Sequence, residues 1–202
     1  FYSNVNYIHV ARDGRDACIS YHNHVTALTE SLLERLDRIG LEDETIGRPY
    51  PRPPADPAEY FHRWVRGENS PIAPFFHFQK SWWEARDQPN VLLVHYNDLK
   101  ADLSAEMKRI ADFLRIAIRP EIWPELVAAA GFDAMRKAGD LLMANMAEIF
   151  DGGSQRFFYK GCNERWRGVF REDDLALYDS KVNETLPPEC ARWLAQGRLK
   201  QF

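Results

Sequence analysis

Arg12 and Ser20 stand eight residues apart in "YIHVARDGRDACISYHNH", residues 7–24, where an apolar run ends in a charged, glycine-containing turn. A guanidinium fork and a neutral hydroxyl from one such unit together suit a dianionic phosphate. A second cationic group lies far along the chain, where "FYKGCNERWRGVF", residues 158–170, gathers Lys160, Arg165 and Arg167 around Gly161. That is the composition of a flap able to lay backbone N–H groups and cations over a phosphate. Tyr96 ends another apolar run and offers a ring with a polar tip. Each has a plainer reading. Arg12 could pair with Asp13 or Asp16, Ser20 could bond its own helix backbone, Tyr96 could be a core tyrosine, and the late loop could be a solvated basic segment. The other polar groups give little catalytic signal. His9, His22, His24, His62, His77 and His95 form no metal-binding or nucleophile-base pattern, Cys18, Cys162 and Cys190 lack metal-ligand spacing, and no Walker-type glycine loop occurs.

Positioning these groups requires strands that end beside helix starts. Tyr7–Ala11 reads as a short buried strand, Asp13-Gly14 as its turn, and the stretch from Arg15 as a helix free of Gly and Pro until Gly40. Leu28, Leu32, Leu36 and Ile39 recur at helical spacing, with Gly40 as the stop. Residues 41–57, rich in proline, read as a loop, either a lid or a plain connection on the acceptor side. Asp56-Pro57 caps a helix carrying Tyr60, Phe61, Trp64 and Val65 that ends near Gly67, and a second aromatic helix holds Phe75 to Trp83. "NVLLVHYNDLK", residues 90–100, reads as a second buried strand, parallel to the first, and Ser104–Leu114 as an amphipathic helix. Helical stretches follow at Ile122–Ala130 and Leu141–Phe150, then the basic loop and a closing helical pair. His22 and His24 alternate, so a helix points them in different directions; either could border a substrate pocket.

The chain has 202 residues, 45% hydrophobic and 28% charged, with a formal net charge of −4, which suits one globular domain and argues against a surface built for nucleic acid. Three cysteines leave one over if two bridge, which favours a reducing compartment. No apolar run is long enough to span a membrane and no leader is visible, so a cytoplasmic protein is expected. Two strands make no independent sheet between helix layers, so the chain reads as the later part of a larger α/β domain.

The ordered blocks resemble the sulfotransferases that use 3′-phosphoadenosine-5′-phosphosulfate. Residues 7–24 resemble that family's 3′-phosphate segment, with Arg12 and its Ser20; "VLLVHYNDLKADLSAEMKRIADFL" resembles the strand-to-helix block whose tyrosine contacts adenine, here Tyr96. "FYKGCNERWRGVF" is similar to the late loop that closes on the 3′-phosphate, with Lys160 and Gly161 at matching positions, and "GFDAMRKAGD" resembles the segment whose phenylalanine packs on adenine, Phe132. The resemblance runs from Tyr7 to about Phe170. It implies a P-loop-NTPase-like parallel sheet flanked by helices, residues 1–202 forming one domain without its first strands. It also implies transfer of a sulfuryl group to a hydroxyl or amine of a small-molecule acceptor, 3′,5′-adenosine bisphosphate as product, and no metal. Oligomers are open. The acceptor wall is expected around Tyr21–His24 and Phe75–Trp83. In three places the chain departs from the pattern. Tyr159 stands where many members have Arg, so that Arg156, Arg165 or Arg167 would have to supply the charge; Glu164-Arg165 replaces Gly-Asp, and Ala130-Gly131 replaces a Thr-Ser pair. The family's 5′-phosphosulfate loop and catalytic histidine match no residues here, so no catalytic base is assigned. A catalytically inactive nucleotide-binding or interaction protein and a P-loop kinase-like phosphotransferase are the alternatives.

Overall fold

The computed structural model describes residues 1–42, 49–68 and 74–198. Strands β1 (Tyr7–Ala11) and β2 (Val91–His95) pair in parallel, Tyr7 opposite Val91 and Ala11 opposite His95. Both are short β-branched runs, and the long connection gives room for the crossover that parallel pairing requires.

Helix α1 (Gly14–Val25) begins directly after β1, where the Asp13 carboxylate accepts from the Arg15 N–H at 2.9 Å. Gly14 is needed there because a Cβ would lie 2.6 Å from the Tyr178 hydroxyl oxygen. The expected helical run from Arg15 to Gly40 is broken in two. Helix α1 stops at Val25, Leu28 pairs with Phe150 in an antiparallel bridge, and α2 (Glu30–Glu42) starts anew. The bridge takes Leu28 out of the helix, and threonines finish the two ends: Thr26 Oγ1 donates to the His22 carbonyl at 2.7 Å, and Thr29 Oγ1 accepts from the Leu32 N–H at 3.3 Å. Gly40 falls inside α2 instead of ending it.

Helix α3 (Pro57–Arg66) has the expected ends, with Asp56 accepting from the Ala58 N–H and Gly67 left-handed at φ 74°. Helix α4 (Phe75–Glu84) precedes β2, and α5 (Tyr96–Ala101) leaves that strand without a loop. Helices α6 (Leu103–Phe113), α7 (Trp123–Ala129), α8 (Phe132–Lys137), α9 (Gly139–Leu142), α10 (Met146–Ile149) and α11 (Gly153–Phe157) follow. The helix expected over Leu141–Phe150 is therefore two single turns. Met143 departs from helical geometry and Phe150 is taken by the bridge to Leu28. The closing pair is α12 (Glu172–Thr185) and α13 (Pro188–Gln196).

The core lies where α3, α4, α12 and α13 meet one face of the strands. Phe61 is fully buried, its ring 3.9 Å from that of Phe170 and 5.9 Å from that of Tyr178. His95 is also fully buried and is held as one tautomer. Its Nε2 donates to the Leu194 carbonyl at 3.0 Å while Nδ1 accepts from the Asn97 N–H at 3.1 Å. Burial lowers its pKa from 6.5, against the raising effects of the Leu194 carbonyl and the nearby Asp98 and Asp13. Burial likewise lowers the pKa values of His9 and His24.

These histidines bind protons in the unfolded chain before the folded one. Stability should therefore be full above pH 6.5 and fall as the pH drops below it. Urea midpoints measured from pH 8 to pH 5 test this; a flat profile through that window contradicts it.

Candidate functional site

The parallel register itself brings Arg12 and Tyr96 together. Ala11 is opposite His95, so the next residue of each strand leaves the sheet at the same edge. The Arg12 guanidinium carbon sits 4.4 Å from the centre of the Tyr96 ring, a cation–π stack. Arg12 also reaches across the fold: Nη2 donates to the Cys162 carbonyl at 2.6 Å and Nε to Asn163 Oδ1 at 3.1 Å. Asp16, one turn into α1, lies 3.9 Å from Nη2.

The segment after Lys160 is fastened to both strand ends. The Asp16 carboxylate accepts from the Glu164 N–H at 2.8 Å and the Arg165 N–H at 3.0 Å. Asn163 Nδ2 donates to Asn97 Oδ1 at 2.6 Å, and Lys100 Nζ to the Gly161 carbonyl at 3.0 Å. Gly161 is left-handed at φ 60°, and a Cβ there would meet the Phe132 ring at 2.7 Å. Phe132 therefore packs against the loop backbone.

Arg12, Tyr96, Phe132 and Gly161 thus form one constellation joined by the 161–163 segment. Among the described residues, no hydrogen bond joins Ser20 or Lys160 to Arg12. Ser20 is half-buried on α1, one turn past Asp16, and its side chain makes no hydrogen bond among the described residues. Lys160 is exposed, with Nζ 5.1 Å from the Tyr159 ring centre. Asn97, Lys100 and Asn163 were not singled out from sequence. Asn97 and Lys100 sit in the first turns after Tyr96, where polar side chains near a strand end were the available signal; for Asn163 there was none.

Burial raises the pKa of Tyr96 and the Arg12 charge opposes this, so the ring keeps a neutral hydroxyl at ordinary pH. Arg12 retains Nη1 for a further acceptor, since its hydrogen bonds use Nε and Nη2. The site can therefore offer a stacked cation, a phenol and an aromatic face. Those suit a planar base beside a phosphate.

The aromatic acceptor wall is only partly as expected. A cavity is lined by Tyr21, Tyr60 and Trp64 together with Tyr50, Pro53 and Pro54 of the proline-rich connection, and His22 Nε2 bonds the Pro54 carbonyl at 2.9 Å. Residues 43–48 of that connection lie outside the described residues. Helix α4 does not line this cavity: Phe76 and Gln79 are buried in the core, and Trp82 stacks on His9 at 4.9 Å. The cause is the apolar stripe of α4, which is claimed by α12 and β1. His24 turns the other way and stacks on Phe157 at 5.4 Å. Burial pushes the Tyr21 pKa up to about 12, with Tyr50 adding to the effect.

The model of the sulfotransferase domain family matches residues 1–187. The chain belongs to the sulfotransferase family. A glycolipid sulfotransferase of Mycobacterium bovis is 31% identical over 96% of this chain and 65% of its own length. Mouse sulfotransferase 1B1 is 24% identical over 91% of the chain and 56% of its own length. This sulfotransferase chain therefore spans about two thirds or less of the curated relatives it matches. Among solved structures, retinol dehydratase in complex with androsterone and the inactive cofactor PAP gives a TM-score of 0.68 at 22% identity, over 91% of this chain and 48% of that one. Mouse sulfotransferase SULT7A1 complexed with PAP gives 0.68 at 16% identity, over 94% and 61%. These structures share the fold: an α/β architecture with a small parallel sheet, P-loop-like in type. Among the described residues no helix is long and apolar enough to cross a membrane.

Proposed function

We propose that the protein transfers a sulfuryl group from 3′-phosphoadenosine-5′-phosphosulfate to a hydroxyl or amine of a small-molecule or glycolipid acceptor, and that this chain carries the adenosine 3′-phosphate half of the donor site. The convergence of Arg12, Tyr96, Phe132 and the 161–163 segment on one edge of the sheet carries this reading. Relatives named for sulfotransfer and fold neighbours complexed with PAP support it.

The residues fit the group. Arg12 and Lys160 would neutralise the 3′-phosphate and Ser20 would add a neutral donor, while Tyr96 and Phe132 would hold the adenine between a phenol and a phenyl ring. The left-handed Gly161 would let its backbone approach closely, as a residue with a Cβ could not. The donor, once bound, supplies an activated sulfuryl group. What this chain's residues contribute is orientation, which is worth much of the barrier when two reactants must meet in line. The cavity between α1 and α3, lined by Tyr21 and Tyr60, is where an acceptor would sit, its tyrosines staying neutral donors. No residue of this chain is assigned as the base.

The test is transfer of labelled sulfate by the full-length protein to a panel of phenols, alcohols, amines and glycolipids. Labelled product with at least one class is expected. Binding of 3′,5′-adenosine bisphosphate without transfer to any class would favour a nucleotide-binding module instead.

A further inference from the structure

Over residues 30–39, helix α2 buries no side chain, although its apolar positions keep helical spacing. Leu32, Leu33 and Leu36 are half-buried, and Ile39 is 53% exposed. A helix on an ordinary globular surface hides such a stripe against its own core. Polar groups at other positions hold this helix to the fold. Thr29, just before it, donates its N–H to the Ile149 carbonyl at 3.0 Å and its Oγ1 to the Glu148 carbonyl at 2.7 Å. Asp37 accepts from the Tyr50 N–H at 2.9 Å and from Arg52 Nη2 at 2.6 Å.

The charges of α2 are sorted by face. Glu30, Glu34 and Asp37 recur at i, i+4 and i+7; Arg35 and Arg38 follow Ser31 on the next stripe, and Leu32, Leu36 and Ile39 form the one after. The acidic stripe is turned to the proline-rich connection, since Asp37 bonds it and, with a weaker contribution from Glu30, raises the Arg52 pKa. The arginines lie on the side of Ile39, which is one turn from Arg35. Both are exposed and make no ion pair among the described residues.

A half-open apolar stripe bordered by unpaired cations, with its acids on another face, has the chemistry of a helix that lies in a membrane interface. Charge selects the occupant. An isologous contact with a second copy would gather like charges around Ile39, whereas an anionic bilayer offers phosphates to both arginines. Tyr50 and Arg52, the residues Asp37 holds, both line the cavity between α1 and α3. A bilayer against α2 therefore lies beside that cavity.

Resting on the sulfotransfer reading for its acceptor, we infer that the face of α2 carrying Arg35, Arg38 and Ile39 docks on an anionic lipid surface, and that the acceptor is a lipid whose headgroup enters the adjoining cavity. The arginines meet the lipid phosphates while Ile39 and the open edges of Leu32 and Leu36 enter the acyl boundary. Asp37 ties this orientation to the cavity wall through Tyr50 and Arg52.

The experiment sediments the full-length protein with vesicles of phosphatidylglycerol and phosphatidylcholine in equal parts, and with vesicles of phosphatidylcholine alone. Binding to the anionic vesicles should be at least tenfold tighter and should weaken with added salt. Ile39→Asp should bind them tenfold or more weakly, and Arg35→Gln combined with Arg38→Gln should abolish the preference for anionic lipid. Because these side chains are exposed, the thermal midpoint and the affinity for 3′,5′-adenosine bisphosphate should not change; Ile39→Ser serves if the aspartate variant does not fold. Labelled-sulfate transfer then compares a glycolipid held in the anionic vesicles with a water-soluble acceptor of the same headgroup. Each variant should lose tenfold or more in kcat/KM on the first and less than threefold on the second. Absence of vesicle binding, or variants that bind like the unsubstituted protein, overturns the docking face; so does self-association that Ile39→Asp abolishes while vesicle binding persists, which makes the face a contact between copies. Transfer to soluble acceptors alone overturns the lipid class. Vesicle binding that follows the variants, with transfer to no acceptor, overturns the sulfotransfer reading and leaves the docking face standing.

Discussion

Replacing Arg12 with alanine is expected to weaken binding of 3′,5′-adenosine bisphosphate by roughly 10- to 100-fold, since lost charge-assisted bonds cost on the order of 1.5–3 kcal/mol. The variant removes several contacts at once. Arg12 stacks on Tyr96 at 4.4 Å and holds the Cys162 carbonyl at 2.6 Å, so both the adenine wall and the loop lose their tie. The loss should therefore extend to 5′-AMP. Arg12→Lys should not restore it, because an ammonium cannot stack and also reach two acceptors in a fork. Titration of both nucleotides checks this, and unchanged affinity for both would remove Arg12 from the site.

Phe61→Ala should destabilise the fold by about 3–5 kcal/mol, the range for emptying an aromatic core position. Phe61 is fully buried, stacked on Phe170 at 3.9 Å and next to Tyr178. For a chain of this size the melting temperature should fall by on the order of 10 °C. The damage should also reach the site. Gly14 bonds the Tyr178 side chain, and a Cβ at Gly14 would lie 2.6 Å from the Tyr178 hydroxyl oxygen, so the cavity opens beside the turn that presents Arg12. Phe61→Leu, which keeps most of the volume, should cost much less. Thermal and urea unfolding of both variants measure the difference; equal stability of Phe61→Ala and the unsubstituted protein would contradict the packing assigned to this core.

Much of the site was legible because its residues sit where local chemistry is strong. Tyr7–Ala11 and Val91–His95 are apolar β-branched runs ending in polar turns, which is enough to place Arg12 and Tyr96 at strand ends. Asp56 and Gly67 fixed the ends of α3 through cap geometry alone, and Pro57 fixed its first turn. Gly161 was readable as a loop position for close approach because no other residue combines its freedom of φ with the absence of a side chain.

What the sequence left open depends on partners distant along the chain. The helix from Arg15 to Gly40 looks continuous in periodicity, and only Phe150, pairing with Leu28, shows why it must break. The aromatic stripe of α4 reads equally as core or as substrate wall; α12 and β1 claim it, and the wall passes to Tyr50, Pro53 and Pro54. Local pattern reports whether a face is apolar, whereas its covering is set by long-range packing. Charge follows the same rule. Composition displays Arg156, Lys160, Arg165 and Arg167 as equal cations of one basic stretch, but folding pairs Arg167 with Glu164 and leaves the other three around Tyr159. Whether a guanidinium is spent on a neighbour or available to a ligand depends on distances of a few ångströms, and only the tertiary structure decides those.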